Sequence, residues 1–421
     1  MRIVDIAEFY SEGGGGVRTY IHQKLEHGSA LGVEVTVIAP GEEDRIEERS
    51  GGRIVWVRSP AMPFDSNYRR FAFAGGRRAV TEVLDGLRPQ VVEASSTWQG
   101  GWIAADWRGS ALKALFLHQD PVAVYPQALL DERFTPEQID RAFTWFWRYL
   151  DRLSRAFDTA VVSGAWLSDK LVRLGLRRFA SVPLGVDKAR FAAARPDLAL
   201  RREMLAACGI DPDRPDAALA AAVSRHHPEK RIPTLIAAAE RLGRGRPFGL
   251  YLIGDGPDRQ TVERLAARVP GVFVAGVERD RDRLAARLAS ADFFLHGGAA
   301  ETFGLAVAEA LAAGLPLVTP DAGGAGELVD PAWGERYRAG DAEGCVAAVE
   351  RLLARDPTAL RKAARDAAER IASPREHFER LFGHYGEALA HRDERAAAQA
   401  VLRYRRLAGA GEALAGAAAG E

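Results

Sequence analysis

The chain has 421 residues, of which 57 are basic and 57 acidic, so its formal net charge is zero, and 47% of it is hydrophobic. That length accommodates two ordinary domains with their own cores, and the charge balance leaves no whole-chain electrostatic footprint for nucleic acid. Only two cysteines are present, Cys208 and Cys345, with no Cys-x-x-Cys or His/Cys cluster at ligand spacing, which argues against structural zinc and points to a reducing compartment, the cytoplasm.

In chain order, strand candidates at 3–6, 33–39, 54–58, 91–94, 114–118 and 159–163 alternate with helical segments. The first stretch, Met1-Arg2-Ile3-Val4-Asp5-Ile6, lacks the long apolar run of a signal peptide, and no window reaches the apolar length of a membrane span. The first strand leads into Gly13-Gly14-Gly15-Gly16-Val17-Arg18-Thr19, whose glycines permit positive φ and close approach of N–H groups to an anion. A flexible loop and a dinucleotide-binding turn remain alternatives here. The third glycine of GxGxxG is missing, with Arg18 and Thr19 in its place, and Glu34 is poorly placed for a ribose-binding acid.

Further along, Tyr68-Arg69-Arg70-Phe71-Ala72-Phe73 with Arg77-Arg78 is basic and aromatic, and Phe143 to Tyr149 is a second aromatic cluster. Both read either as core-facing helices with solvated arginines or, for 68–78, as a peripheral contact with an anionic membrane. His118, in Phe116-Leu117-His118-Gln119-Asp120, ends a hydrophobic strand and so points into the crevice where α/β sheets bind ligands. A structural histidine is the competing reading. Pro183-Leu184-Gly185-Val186-Asp187 separates this series from a second, with strand candidates at 218–224, 248–254, 272–275, 293–296 and 315–319, and a hinge is expected near Leu184. Two such series predict an α/β chain of two doubly wound domains.

In the second series, Val223-Ser224-Arg225-His226-His227-Pro228-Glu229-Lys230-Arg231 follows a buried strand. Arg225 and Lys230 are candidates to hold one diphosphate, the first as a planar fork and the second as a point charge. Ala306 to Ala313 is a strong helix former stopped by Gly314 and Pro316, so Glu309 falls on a helix and Glu301 in the loop before it. The two carboxylates are then roughly 10 Å apart. Between them the N–H groups of Phe303, Gly304 and Leu305 and the positive end of the helix dipole would face a diphosphate. Each carboxylate could accept hydroxyl hydrogen bonds from opposite ends of one nucleotide sugar; two solvated glutamates are the bland alternative.

With its flanking strands, Glu301-x7-Glu309 resembles the E-x7-E motif of the family-4 retaining glycosyltransferases, which have the GT-B fold of two Rossmann-like domains facing a cleft. The Gly-rich loop, the histidine-ended strand, the Arg225/Lys230 segment, Leu252-Ile253-Gly254-Asp255-Gly256-Pro257 and Gly323-Gly324-Ala325-Gly326-Glu327 follow in that family's order. The resemblance implies an acceptor-side domain at 1–184, a nucleotide-sugar domain at 185–374 and a helix at 375–406 that returns to the first domain, while the Ala/Gly-rich, low-complexity stretch at 407–421 reads as a disordered tail. It also implies hexose transfer, with retention, from a nucleoside diphosphate sugar to a glycan or lipid-linked acceptor, GDP-mannose being slightly favoured over UDP-glucose. Gly15 and Gly16 then lie near the acceptor and the donor phosphate, and His118 lies beside the transferred sugar with its carbonyl toward the anomeric carbon. Val277 and Glu278 become candidates to meet the base, and Asp120 to orient the acceptor.

No metal and no cofactor are expected: no Asp-x-Asp motif is placed to hold a diphosphate, and Arg225, Lys230 and the helix start would neutralise it. Departures from the family pattern are Ser224 and Arg231, each where glycine is usual, and the added His226-His227, which leave the loop geometry open. The rival readings are a catalytically silent sugar-nucleotide-binding subunit and a GT-B epimerase or phosphorylase. An enzyme at the cytoplasmic face of the membrane fits a lipid-linked acceptor.

Overall fold

The computed structural model describes residues 1–12, 15–62, 65–72, 74–130 and 133–395. The expected tail, the last part of the expected C-terminal helix, Gly13, Gly14 and Phe73 lie outside the described residues.

The first sheet is built from β1 (Arg2–Ile6), β2 (Glu34–Gly41), β3 (Arg45–Arg49) and β4 (Gly52–Arg58), then, past a small hairpin of β5 (Ala61–Met62) and β6 (Asp65–Arg69), from β7 (Val91–Ala94), β8 (Leu112–Leu117), β9 (Thr159–Val162) and β10 (Phe179–Ser181). Its order is 10-9-8-7-1-2-4-3, parallel except where β3 runs against β4. The second sheet contains β11 (Ala218–Val223), β12 (Phe248–Ile253), β13 (Val272–Gly276), β14 (Phe293–Leu295), β15 (Leu317–Pro320) and β16 (Gly334–Tyr337), in the order 13-12-11-14-15-16 and parallel throughout. Each expected strand is present. The added ones are short or charged, and β3, β10 and β16 are sheet edges: β3 reads Arg-Ile-Glu-Glu-Arg and leaves Ile46 65% exposed, the composition of an edge protected by charge.

Both sheets are covered on two faces, so their strands read as apolar runs whose alternate residues join different cores. In the first, Val4, Ile6, Val92, Ala94, Leu115 and Leu117 face one cluster, while Ile3, Val91, Ala114 and Phe116 face the other. In β11, Leu219 and Ala221 go to one side and Ala218, Ala220 and Ala222 to the other. A strand of small residues, poor in intrinsic β propensity, is held here by burial between covering layers.

Residues 374–395 are helical and lie against the first sheet, with Phe378, Leu381, Phe382 and Tyr385 in the same cluster as Ile3 and Val91. Beneath them is a fully buried ionic group: Lys24 Nζ bonds Asp5 (2.7 Å) and Glu93 (2.6 Å), and Tyr385 Oη donates to Glu93 (2.9 Å). The returning segment crosses the 183–187 connection closely. Val186 N–H donates to the Ala372 carbonyl (2.9 Å), His377 Nδ1 meets the Pro183 carbonyl (2.8 Å), and a Cβ added to Gly185 would sit 2.1 Å from the Ser373 carbonyl oxygen.

Gly185→Ala is therefore predicted to force the two segments apart and to lower stability by about 1–3 kcal/mol, the usual cost of overpacking. Calorimetric unfolding checks it: an unchanged Tm would mean that the crossing relaxes freely.

Candidate active site

In an open α/β sheet, ligands collect outside the carboxyl ends of the strands where the order reverses. In the first sheet that point lies between β1 and β7, and in the second between β11 and β14. The loop after β1 carries Gly15 and Gly16, and the helix Gly15–Ala30 starts there. The loop after β11 carries Arg225 and Lys230, and the loop after β14 carries Glu301. The second reversal point thus brings Lys230 beside Glu301, with Arg225 on the same loop as Lys230.

Glu301 and Lys230 form the centre. Lys230 Nζ lies 2.7 Å from Glu301 Oε1 and 3.3 Å from Glu229. The Lys230 and Glu301 side chains retain only 15% and 21% of their exposure. Burial alone would raise the Glu301 carboxyl, but Lys230 and then His296 hold it well below the usual carboxylate range. Burial likewise opposes the charge on Lys230, and Glu301 and Glu229 outweigh it and raise the ammonium. His296 Nε2 is 3.4 Å from the same Glu301 oxygen but is not aligned for a hydrogen bond.

The chain from Glu301 into the next helix is set by glycine. Gly304 has φ 89° and ψ 59°, the left-handed region, and caps the helix Leu305–Ala312, one residue offset from the expected start. Gly324 N–H donates to the Glu301 carbonyl (2.6 Å), and a Cβ on Gly324 would fall 2.6 Å from the Thr302 carbonyl. The Gly323–Glu327 run is a short helix whose glycines let it press on the Glu301 turn. The first-turn N–H groups that follow Gly304 are those a helix leaves without an internal acceptor. Gly16 lies across from them: a Cβ there would stand 4.0 Å from Leu305 Cδ1. Phe303 is buried with Tyr20 in a first-domain cluster.

Glu309 is on that helix, 9% exposed, with Arg281 Nη2 2.5 Å from its carboxylate. Burial raises its carboxyl, and Arg281 pulls in the other direction. Arg281 lies over the Phe191 ring at 5.2 Å. The Arg225 guanidinium lies 5.5 Å from the centre of the Tyr68 ring, contributed by the first domain. Val277 follows β13 and is 56% exposed, and Glu278 beside it stands 3.5 Å from Arg283 and 3.4 Å from Arg287.

From the first domain, His118 follows β8 with its ring stacked on Phe116 (4.1 Å) and edge-on to Tyr20 (4.7 Å). Its Nε2 is buried without a hydrogen-bond partner. Burial, then Lys24 and His377, push the imidazole down to about 3, so the ring is neutral at physiological pH. The His118 carbonyl accepts from Thr302 Oγ1 (2.7 Å), which in turn accepts from Ser163 Oγ (2.9 Å). Thr302, one residue from Glu301, therefore ties the carboxylate loop to the histidine strand.

Asp120 has a different place from the one expected. It is wholly buried, and its carboxylate accepts from Val122 N–H (2.9 Å), Ala123 N–H (3.0 Å) and Lys170 Nζ (2.6 Å), so it shapes the turn and is closed to an acceptor. The 68–78 segment differs as well. Tyr68 faces Arg225, Phe71 is in the core, and Arg77 and Arg78 pair with Asp106 and Glu82, so its described aromatic rings turn inward. Of the second aromatic cluster, Phe146 and Trp147 are buried and Trp145 is exposed.

Sequence reasoning gave no role to Thr302, Ser163, Arg281 or His296. A threonine next to the motif carboxylate and a histidine ending the preceding strand were available signals. The pairing of Arg281 with Glu309 spans 28 positions and has no local one.

Residues 14–190 match the family described as Glycosyltransferase Family 4, and residues 217–355 that described as Glycosyl transferases group 1. A GDP-mannose-dependent alpha-mannosyltransferase of Mycolicibacterium smegmatis is 31% identical over 413 residues, which is 94% of this chain and 100% of the relative. A GDP-mannose-dependent alpha-(1-6)-phosphatidylinositol dimannoside mannosyltransferase of Mycobacterium tuberculosis is 30% identical over 76% of this chain and 79% of its own length. Among solved structures, a sucrose-phosphate synthase from Thermosynechococcus elongatus superposes with a TM-score of 0.74 at 20% identity, covering 93% of this chain and 99% of its own, which gives the fold as GT-B. On these family matches and these relatives, the chain belongs to the family-4 glycosyltransferases.

Proposed function

We propose that this glycosyltransferase moves mannose from GDP-mannose, with retention of configuration, to a hydroxyl of a lipid-linked or glycan acceptor. The observation that carries the reading is the Lys230–Glu301 pair at the start of the Leu305–Ala312 helix, joined through Thr302 to His118. The choice of GDP-mannose and of a lipid-linked acceptor is supported by the mannosyltransferases to which the chain is similar. No helix among the described residues is long and apolar enough to cross a membrane.

In this reading the C1–O bond to the diphosphate breaks, the acceptor oxygen bonds C1 from the same face, and its proton passes to the departing phosphate oxygen. Lys230, Arg225 and the N–H groups after Gly304 receive the charge that develops on the diphosphate. Glu301, held ionised by Lys230, accepts hydroxyl hydrogen bonds from the hexose. Glu309 does the same for the ribose, and Val277 and Glu278 border the base. His118 offers a neutral imidazole nitrogen to the sugar, and Gly16 lets the diphosphate approach the first domain. Because these groups are fixed before substrate arrives, positioning and preorganised electrostatics supply most of the rate. With fixed cations already placed, no divalent ion is required at the diphosphate.

Glu301→Ala is predicted to lower kcat by about 100-fold or more while GDP still binds. Arg225→Ala is predicted to weaken GDP itself. Thermal shift reads the second effect, since ligand at about 100 times Kd stabilises by about 2.7 kcal/mol, and EDTA is expected to leave the shift unchanged. Equal transfer and donor-hydrolysis rates in wild type and both variants would sink the assignment.

The pH dependence follows from the two perturbed groups. His118 has a lowered value and is neutral throughout the range of about pH 5 to 8, so it sets no limb of the rate profile there. Glu301 has a depressed folded value, so the pair's contribution is complete above the unfolded carboxylate value of about 4.3 and is lost as pH falls through the folded one. Lys230 is raised, so its contribution is complete below its unfolded value and lost only as pH rises through the folded one. A limb near pH 6.5 that vanishes in His118→Asn would show that the imidazole titrates after all.

A further inference from the structure

A second cavity of about 820 Å³ opens between the domains, on loops after β8, β9, β11, β14, β15 and β16. Glu229 and Ala300 line it, so it shares walls with the loops that carry Lys230 and Glu301, yet neither Arg225, Arg281 nor Glu309 does. Its volume falls in the range of about 300–1,000 Å³ in which ligand sites lie. None of the roles given to the donor site uses it.

The lining has a chemical signature. Five basic side chains are matched by five carboxylates, so the cavity has no net charge to favour an anion or a cation. Its apolar part is aromatic: Phe134 is 49% exposed, and Trp166 packs on Ala123, Val124 and Ala300. At the polar floor, Asp140 is nearly buried and bonds Lys170 (2.9 Å) and Gln127 Nε2 (3.2 Å). At the mouth, Arg173 and Arg338 are exposed, and among the described residues neither has an ion-pair partner within 4 Å. Planar carboxylates, an amide and guanidinium forks bond paired hydroxyls in two directions, and aromatic faces cover C–H surfaces. A neutral ligand dense in hydroxyls uses all of these.

We infer that this cavity is a glycan-binding site, which holds neutral hexose units of an oligosaccharide acceptor or product beside the Lys230–Glu301 loops. The assignment rests on the glycosyltransferase reading for its role in transfer, but not for the binding itself. Arg173 and Arg338 act as positioning residues at its mouth. Their loss should raise the KM for an oligosaccharide acceptor without changing donor hydrolysis.

Calorimetric titration of the protein with α-linked mannobiose, with and without saturating GDP, tests the inference. The expected result is binding that weakens about tenfold or more in the Arg173→Ala/Arg338→Ala double variant, with GDP affinity and Tm as in wild type. Normal GDP binding with no mannobiose binding, or with mannobiose binding that the double variant leaves unchanged, overturns the cavity assignment and leaves the donor reading standing. Failure to bind GDP counts against the donor reading, and the nucleotide-free titration then still decides for or against the cavity. Binding of inorganic phosphate, lost in the double variant and without any mannobiose binding, overturns it in favour of an anion site.

Discussion

The contact between Lys230 and Glu301 joins the two loops that leave the second sheet on either side of its reversal point. An ammonium and a carboxylate this far from bulk water tolerate separation poorly, because either one alone would carry an uncompensated desolvation cost. The pair therefore fixes the Glu301 turn, and the turn fixes the start of the helix behind Gly304. Thr302 and Phe303 follow from it: one hydroxyl reaches the His118 carbonyl, and one ring enters the first domain's core. The turn that carries Glu301, Thr302 and Phe303 is thus set by one ion pair more than by any one secondary-structure element.

The two domains meet through polar and aromatic contacts beside the apolar packing of Phe303 and of Trp166 on Ala300. Ser163, Thr302 and His118 form one line, and Arg225 on Tyr68 another. Interfaces of this kind permit relative motion. Opposite the cleft, the connection at 183–187 and the returning segment at 372–377 cross within hydrogen-bonding distance. The helix beyond them is anchored through Tyr385 to the buried Lys24–Asp5–Glu93 group. Motion about such a crossing is confined to a few backbone torsions, which suits closure that excludes water from the donor.

Much of this was legible in the residues. The strands that end in His118 and Ser224 and the helix that carries Glu309 could be placed because buried parallel strands and capped helices leave strong local patterns. The edge strands β3, β10 and β16 left none: charge hides the periodicity of β3 and β16, and β10 has only three residues. Asp120 was misread because a carboxylate after a strand looks alike whether it meets a ligand or caps a turn, and only Lys170, 50 positions away, distinguishes the two. Tyr68 was left between a core-facing and a membrane-facing reading on composition, and its place beneath Arg225 depends on how the domains face each other, which no local spacing encodes. The hydroxyl of Thr302 lay within the motif, but its partners come from two other strands.

Arg231, read from the sequence as a departure from the glycine of the resembled family pattern, adopts the left-handed conformation, with φ 49° and ψ 38°. For a residue with a side chain that conformation costs about 1–2 kcal/mol. The turn after Lys230 thus keeps a glycine's backbone path while an arginine side chain extends from it to line the second cavity. Substitution there is filtered twice. Glycine and asparagine satisfy the torsion angles and give up the reach, lysine keeps the reach and the strain, and a β-branched residue satisfies neither. For anyone redesigning acceptor preference, position 231 is where a change aimed at one chamber is transmitted through the main chain to the cation in the other.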